Sequence, residues 1–90
     1  MLPDVPDVGD TLGWAYYRNG DPNLLKLAVP LLEEAVSKQP NNALFRYHLG
    51  AAYFKSGQNA NARRELQAAL QIDPAFQGAA ESRRILATLP

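Results

Sequence analysis

The sequence predicts an all-α fold in which two helix-turn-helix units stack on each other and a fifth helix closes the stack. One motif occurs twice, first as Leu12-Gly13-x-x-Tyr16 and then as Leu49-Gly50-x-x-Tyr53. Each copy is followed by an alanine, a leucine and a proline at the same mutual spacing, which are Ala28, Leu32 and Pro40 and then Ala62, Leu66 and Pro74. Apolar residues recur at helical spacing around these positions. A sequence repeated at a fixed spacing is typical of stacked supersecondary units.

The length and composition exclude several classes of function. The chain has 90 residues, which is enough for one small domain. Its 9 basic and 9 acidic residues balance, so we expect neither the basic stripe of a nucleic-acid-binding protein nor a polybasic membrane patch. The apolar runs are too short for a spanning helix, so we expect a soluble chain without direct membrane insertion. The absence of cysteine excludes disulfides, thiolate catalysis and cysteine zinc sites.

The first unit is predicted to contain two helices. Residues 1–6 include two prolines and no periodic pattern, so we interpret them as an extended leader. Helix one is expected over 7–19, and Gly20 should end it because glycine readily adopts the left-handed conformation found after a helix. An aspartate suited to the N-cap and a proline at the first helical position favour a second helix over 22–38. Pro30 lies inside that helix and should bend it.

The second unit and the end of the chain are interpreted in the same way. Helix three is predicted over 43–56, and helix four runs from residue 59 or 60 to residue 72. Helix five is predicted to begin at 75–77 and to reach Thr88. It lacks the repeated motif and carries a polar face, so we expect it to cap the apolar end of the stack. The single domain 1–90 would divide into leader 1–6, unit 7–42, unit 43–76 and cap 77–89.

The repeated motif resembles the tetratricopeptide repeat, a helix-turn-helix of about 34 residues with the pattern Trp-x2-Leu-Gly-x2-Tyr, then Ala-x3-Phe, then Pro. The second copy, 43–76, has this length. The departures at the Trp and Phe positions are Gly9 and Leu32 in the first copy and Arg46 and Leu66 in the second. The resemblance implies a right-handed α-solenoid of two repeats followed by a capping helix.

The first copy is three residues longer than the second, and the additional length falls between Tyr16 and Ala28. Three residues are nearly one helical turn. We therefore predict that the insertion lengthens the start of helix two instead of forming a long loop.

Three short segments are also similar to the last repeats of long bacterial tetratricopeptide proteins, some of which are lipoproteins associated with exopolysaccharide export and protein sorting. They are Asp10-Thr11-Leu12-Gly13-Trp14, Ala35-Val36 and Arg46-Tyr47-His48-Leu49-Gly50. The similarity implies the C-terminal part of a longer bacterial array, and it leaves the compartment open between cytoplasm and periplasm.

The resemblance further implies a binding groove, because in this family the first helix of each repeat lines a concave surface. The first repeat would contribute Asp7, Asp10, Thr11, Trp14, Tyr17 and Arg18. The second would contribute Leu44, Tyr47, His48, Ala51, Phe54 and Lys55. The four aromatic rings among these residues would then face one surface, where such rings are typical anchors for a bound peptide or helix. The alternative is that the rings pack against each other or against a neighbouring repeat.

No catalytic or metal-binding pattern is evident in the sequence. His48 is the only histidine and has no cysteine and no evident carboxylate cluster beside it, so we expect a groove wall or a hydrogen-bonded polar group, with no metal or cofactor. The serines have no partner base in a recognisable pattern, so we do not expect an enzyme. The basic clamp with which some family members bind a carboxylate terminus is not reproduced, since Asp7 and Asp10 stand where Lys and Asn are needed.

Two functions remain in view. The first is a protein-protein interaction module that binds a peptide or helix of another protein in the aromatic groove, as an adaptor or scaffold. The second is a self-associating structural module. Two repeats are fewer than the three usually needed to bury a continuous core, so the uncapped N-terminal edge would stack on a second copy to form a homo-oligomer, or exchange helices with it.

Overall fold

The computed structural model describes the backbone of residues 6–90 and the side chains of residues 8–90. The predicted leader lies outside the described residues except for Pro6, which begins the first helix. The five helices are α1 (Pro6–Asn19), α2 (Pro22–Lys38), α3 (Ala43–Lys55), α4 (Asn59–Ile72) and α5 (Ala79–Thr88). Over residues 6–90 there is no β-strand. The all-α prediction is confirmed.

The helix ends follow from local backbone chemistry. Gly20 and Gly57 separate the helices of each unit with φ angles of 87° and 81°, a left-handed conformation that glycine adopts without a Cβ penalty. Asp21 caps α2, since its Oδ1 accepts a 2.8 Å hydrogen bond from the Asn23 N–H. Asn42 caps α3 in the same manner with a 3.0 Å bond from the Phe45 N–H. These caps satisfy donors that the helices themselves leave unpaired.

The insertion lengthens the second helix, as predicted. α2 has 17 residues and α4 has 14, a difference of three. α2 continues through Pro30 without interruption. Proline leaves the Lys26 carbonyl without its intrahelical donor. Pro30 and Lys26 are both exposed, so water can supply the missing hydrogen bond. The helix therefore tolerates a proline at this position.

α5 begins at Ala79, later than the predicted 75–77. The intervening residues form turns, because Asp73 Oδ1 accepts a 3.0 Å hydrogen bond from the Ala75 N–H and so competes with helical pairing. Tertiary packing supports the same outcome. The rings of Tyr47 and Phe76 close over Gly78, where a Cβ would lie 2.6 Å from Tyr47 Cδ2.

The repeated glycine and leucine form the closest contact within each helix pair. A Cβ on Gly13 would lie 2.8 Å from Leu32 Cγ, and one on Gly50 would lie 2.7 Å from Leu66 Cγ. Both leucines are 0% exposed. The motif is therefore a packing device, because the missing side chain of the first helix is the space that the leucine of the second helix fills.

The two units meet where α2 packs on α3. Leu32, Ala35 and Val36 of α2 form one buried cluster with a set of α3 residues, which are Phe45, Leu49, Ala52 and Tyr53. The Tyr53 hydroxyl donates a 2.5 Å hydrogen bond to Glu33 Oε2 at the rim of this contact. Burial, followed by this bond to Glu33, raises the pKa of the Tyr53 hydroxyl. Tyr53 therefore stays protonated and tethers α3 to α2 at neutral pH.

Gly50→Ala is expected to lower the free energy of unfolding by about 1 to 3 kcal/mol, because the new methyl group overpacks against buried Leu66. Gly9→Ala is the matched control on α1, since its Cβ would meet only the Leu31 carbonyl oxygen at 3.7 Å. The control should be neutral or more stable by up to about 1 kcal/mol because alanine favours a helix. Urea unfolding followed by circular dichroism measures both changes. Equal effects of the two substitutions would contradict the packing role of Gly50.

Candidate binding surface

The first helices of the two units bring their aromatic side chains together. We define the aromatic cluster as Trp14, Tyr17, Tyr47, His48 and Phe76. The Trp14 ring stacks on His48 with a centroid distance of 3.9 Å and on Tyr17 with a distance of 4.5 Å. Tyr47 lies 5.5 Å from Trp14 and 5.9 Å from Phe76. The distances among Trp14, Tyr17, Tyr47 and Phe76 are within the range of favourable ring contacts, and His48 stacks still closer, so the rings pack against each other, as the alternative interpretation proposed.

The rings are nevertheless only partly covered. Trp14, Tyr17 and Tyr47 are half-buried, which leaves a part of each ring at the surface. Trp14 and Tyr17 are three positions apart on α1 and therefore share a face of that helix. Lys55 places its Nζ 5.1 Å from the centroid of the Tyr17 ring, a cation-π arrangement at the rim of the cluster. The result is an amphipathic surface with aromatic centres and a charged border.

The aromatic cluster is joined to a buried pair of polar side chains. His48 Nδ1 lies 2.8 Å and 2.9 Å from the two carboxylate oxygens of Asp10. Asp10 is 5% exposed and His48 is 6% exposed, so neither side chain is on the surface where the sequence placed it. The pair joins α1 to α3 and fixes the imidazole on which Trp14 stacks. Sequence reasoning gave His48 no such partner, because the two residues are 38 positions apart.

The other predicted groove residues separate into several environments. Ala51 is buried beneath the cluster, Leu44 is half-buried, and Arg18 is exposed. Phe54 is 37% exposed, and in the described part of the chain no ring contact links it to the cluster. The Asp7 side chain lies outside the described residues.

Thr11 is exposed on α1, and its place in the groove stays a prediction. It lines a surface depression of α1 together with Val8, Leu12 and Ala15. Thr11 is three positions from both Val8 and Trp14, so helical spacing alone places it between the two surfaces.

α5 contributes a side of the surface that sequence reasoning missed. Its Ile85 is buried with Ala51 and Leu66, and the half-buried Leu86 and Leu89 pack on these three side chains, as do Trp14, Tyr17 and Tyr47. Extending the spacing of the second repeat by 34 positions would have given a signal, because it relates Tyr47 to Glu81 and Ala51 to Ile85. The cap therefore continues the row of first helices.

Glu81 also influences the pKa of the tyrosine hydroxyls in the aromatic cluster. Burial, followed by the Glu81 carboxylate, raises the pKa of the Tyr17 hydroxyl and of the Tyr47 hydroxyl. Both phenols therefore remain protonated at neutral pH. The hydrogen bond from Arg84 lowers the pKa of Glu81, so this exposed acid is ionised. A partner would meet neutral hydroxyls next to an ion pair.

The described residues offer no metal centre and no membrane span. Among residues 6–90 no three His, Cys, Asp or Glu side chains come together as metal ligands. No helix in this part of the chain is both long enough and apolar enough to cross a bilayer.

Comparison with known families settles the kind of repeat. A profile of the tetratricopeptide repeat matches residues 25–89. The chain belongs to the tetratricopeptide repeat family. The match includes most of α2 and all of α3, α4 and α5, and tetratricopeptide repeats form helical solenoids that generally mediate protein-protein interactions without catalysis. Searches of curated proteins and of solved structures gave no significant match. The division of the chain into leader, two repeats and cap stays a prediction.

A double-mutant cycle on Asp10 and His48 is expected to show coupling of about 0.5 to 3 kcal/mol. His48→Ala should lower the free energy of unfolding by about 1 to 3 kcal/mol, because it leaves the buried Asp10 carboxylate without its partner. Asp10→Ala made in the His48→Ala background should then cost much less than it does alone. Urea unfolding of the four proteins provides the free energies. Strictly additive costs would show that the pair does not hold α1 to α3.

Proposed function

We propose that this tetratricopeptide repeat protein binds a peptide or a helix of a partner protein on the aromatic cluster, and so acts as an adaptor or scaffold. The observation that carries the proposal is the partial exposure of Trp14, Tyr17 and Tyr47 side by side. Large rings of this kind provide much contact area for few torsion angles. The general role of the family in protein-protein interaction supports a protein partner.

The stacking of Trp14 on His48 favours binding of a partner without a change in the Trp14 conformation. Its ring stacks on an imidazole that is held by a buried carboxylate, so Trp14 has little freedom to lose when a partner binds. Binding to groups that are already ordered costs less conformational entropy than binding to mobile ones. The surface is therefore suited to a partner with an apolar or aromatic anchor.

The border of the surface would define the orientation of the partner. Lys55 and Arg18 provide positive charge beside Tyr17, while Glu81 and Arg84 form an ion pair on α5. Charges at the rim of an interface affect specificity and association rate more than affinity. We assign direct contact to residues at or near the surface, which are Trp14, Tyr17, Arg18, Leu44, Tyr47, Phe54 and Lys55. Asp10, His48 and Ala51 would act by positioning them.

Trp14→Ala and Tyr47→Ala are expected to weaken binding of a selected peptide by about tenfold or more. The peptides would be selected from a random phage-displayed library on the immobilised protein, and affinities measured by calorimetry. Ile72→Ala is the matched control, since Ile72 is an exposed apolar residue on α4 outside the cluster. Far-ultraviolet circular dichroism should remain unchanged in all three variants. Loss of the helical signal together with binding, or unchanged binding, would contradict the assignment.

The fluorescence of Trp14 provides a second readout of the same experiment. It is the only tryptophan of the chain, so its emission reports on the aromatic cluster alone. A peptide bound on the cluster should shift the emission maximum at the concentrations at which calorimetry detects binding. Saturable binding with an unchanged emission spectrum would place the peptide elsewhere on the protein.

A further inference from the structure

A second apolar surface lies on the side of the molecule opposite the cap. We define the N-terminal edge as the outward faces of α1 and α2, formed by Val8, Thr11, Leu12, Ala15, Tyr16, Leu27, Pro30 and Leu31. Val8 is 60% exposed, Leu12 is 42% exposed and Leu27 is 51% exposed. These side chains lie next to one another, and contiguous exposed apolar surface is a common feature of interaction sites.

The edge repeats an interface that is already present within the chain. Val8, Leu12, Ala15 and Tyr16 occupy the same repeat positions as Phe45, Leu49, Ala52 and Tyr53. In α3 those four side chains are buried under α2. The edge of α1 therefore presents the same face without a covering helix in the described part of the chain.

The N-terminal edge also contains a cleft that side chains of a second copy can occupy. A cleft of about 370 Å3 lies between α1 and α2 and is lined by Leu12, Tyr16, Leu27, Pro30, Leu31 and Glu34. Leu12 also lines the neighbouring depression on α1. The edge thus offers both a recess at Leu12 and projecting side chains at Val8 and Leu27. A surface that carries its own projections and recesses is suited to contact through a two-fold axis.

We propose that the N-terminal edge binds the same edge of a second copy of this chain, forming a closed two-fold dimer. Five large apolar side chains are exposed among the described residues, and three of them belong to the edge. The other two, Phe54 and Ile72, lie on separate helices. Most of the large apolar side chains that are exposed in the described chain therefore lie on the edge.

The distribution of charge favours the two-fold contact over a head-to-tail stack. Glu34 is the only charged side chain that lines the cleft, and its carboxylate lies 3.5 Å from Lys38 Nζ. A two-fold contact brings one Glu34 from each copy to the interface, each with its own Lys38 nearby. α5 instead carries exposed Arg83 and Arg84, so an edge placed on these side chains would bury polar groups at a cost. A two-fold contact closes at two copies, whereas a head-to-tail stack continues.

Sedimentation equilibrium over about 1 µM to 1 mM protein tests the proposal. We expect the mass to rise from 9.9 kDa to twice that value and then to stay constant. Leu27→Glu should raise the dissociation constant by about tenfold or more, since it places a carboxylate in an apolar contact. Ile72→Glu is the matched control on α4 and should leave the dissociation constant unchanged. Leu27 is exposed, so the substituted chain should retain its circular dichroism spectrum.

Several outcomes would overturn the dimer. A mass of 9.9 kDa at every concentration would show that the edge does not bind a second copy. Growth beyond two copies would indicate a head-to-tail stack. Equal weakening by Leu27→Glu and Ile72→Glu would place the contact elsewhere. Trp14→Ala should not change the mass, so the dimer and the peptide-binding proposal can fail independently.

Discussion

The contact of a buried leucine with a glycine on the facing helix is the constraint on which the rest of the structure depends. Gly13 accommodates Leu32 in the first helix pair, and Gly50 accommodates Leu66 in the second. This contact brings each pair of helices to a separation that a side chain would prevent. Because the same geometry is used twice, the first helices α1 and α3 come to lie side by side with their equivalent faces turned the same way.

That alignment accounts for both surfaces of the molecule. On one face of α1, Trp14 reaches His48 and Tyr47 of α3, with the Asp10 carboxylate holding the imidazole in place. On another face of α1, Leu12 is exposed. Its counterpart in α3, Leu49, is covered by α2. The aromatic cluster therefore forms through contacts between the two repeats. The N-terminal edge is exposed because no further helix covers it in the described chain.

The sequence predicts local features well, because they depend on residues close together in the chain. The caps at Asp21 and Asn42 and the three-residue extension of α2 are of this kind. Features that depend on distant residues were missed. The Asp10–His48 pair spans two repeats, and the late start of α5 depends on Tyr47 packing over Gly78.

Amide hydrogen exchange tests this account most directly, because it measures local opening helix by helix. α3 carries eight buried residues, whereas Asp10 and Gly13 are the only buried residues of α1 from residue 8 onward. In dilute solution we expect α1 amides to exchange at least about tenfold faster than α3 amides. Protection of α1 should then increase with protein concentration as its edge is covered. Equal protection of α1 and α3 in dilute solution would contradict the account, since α1 would then already be covered.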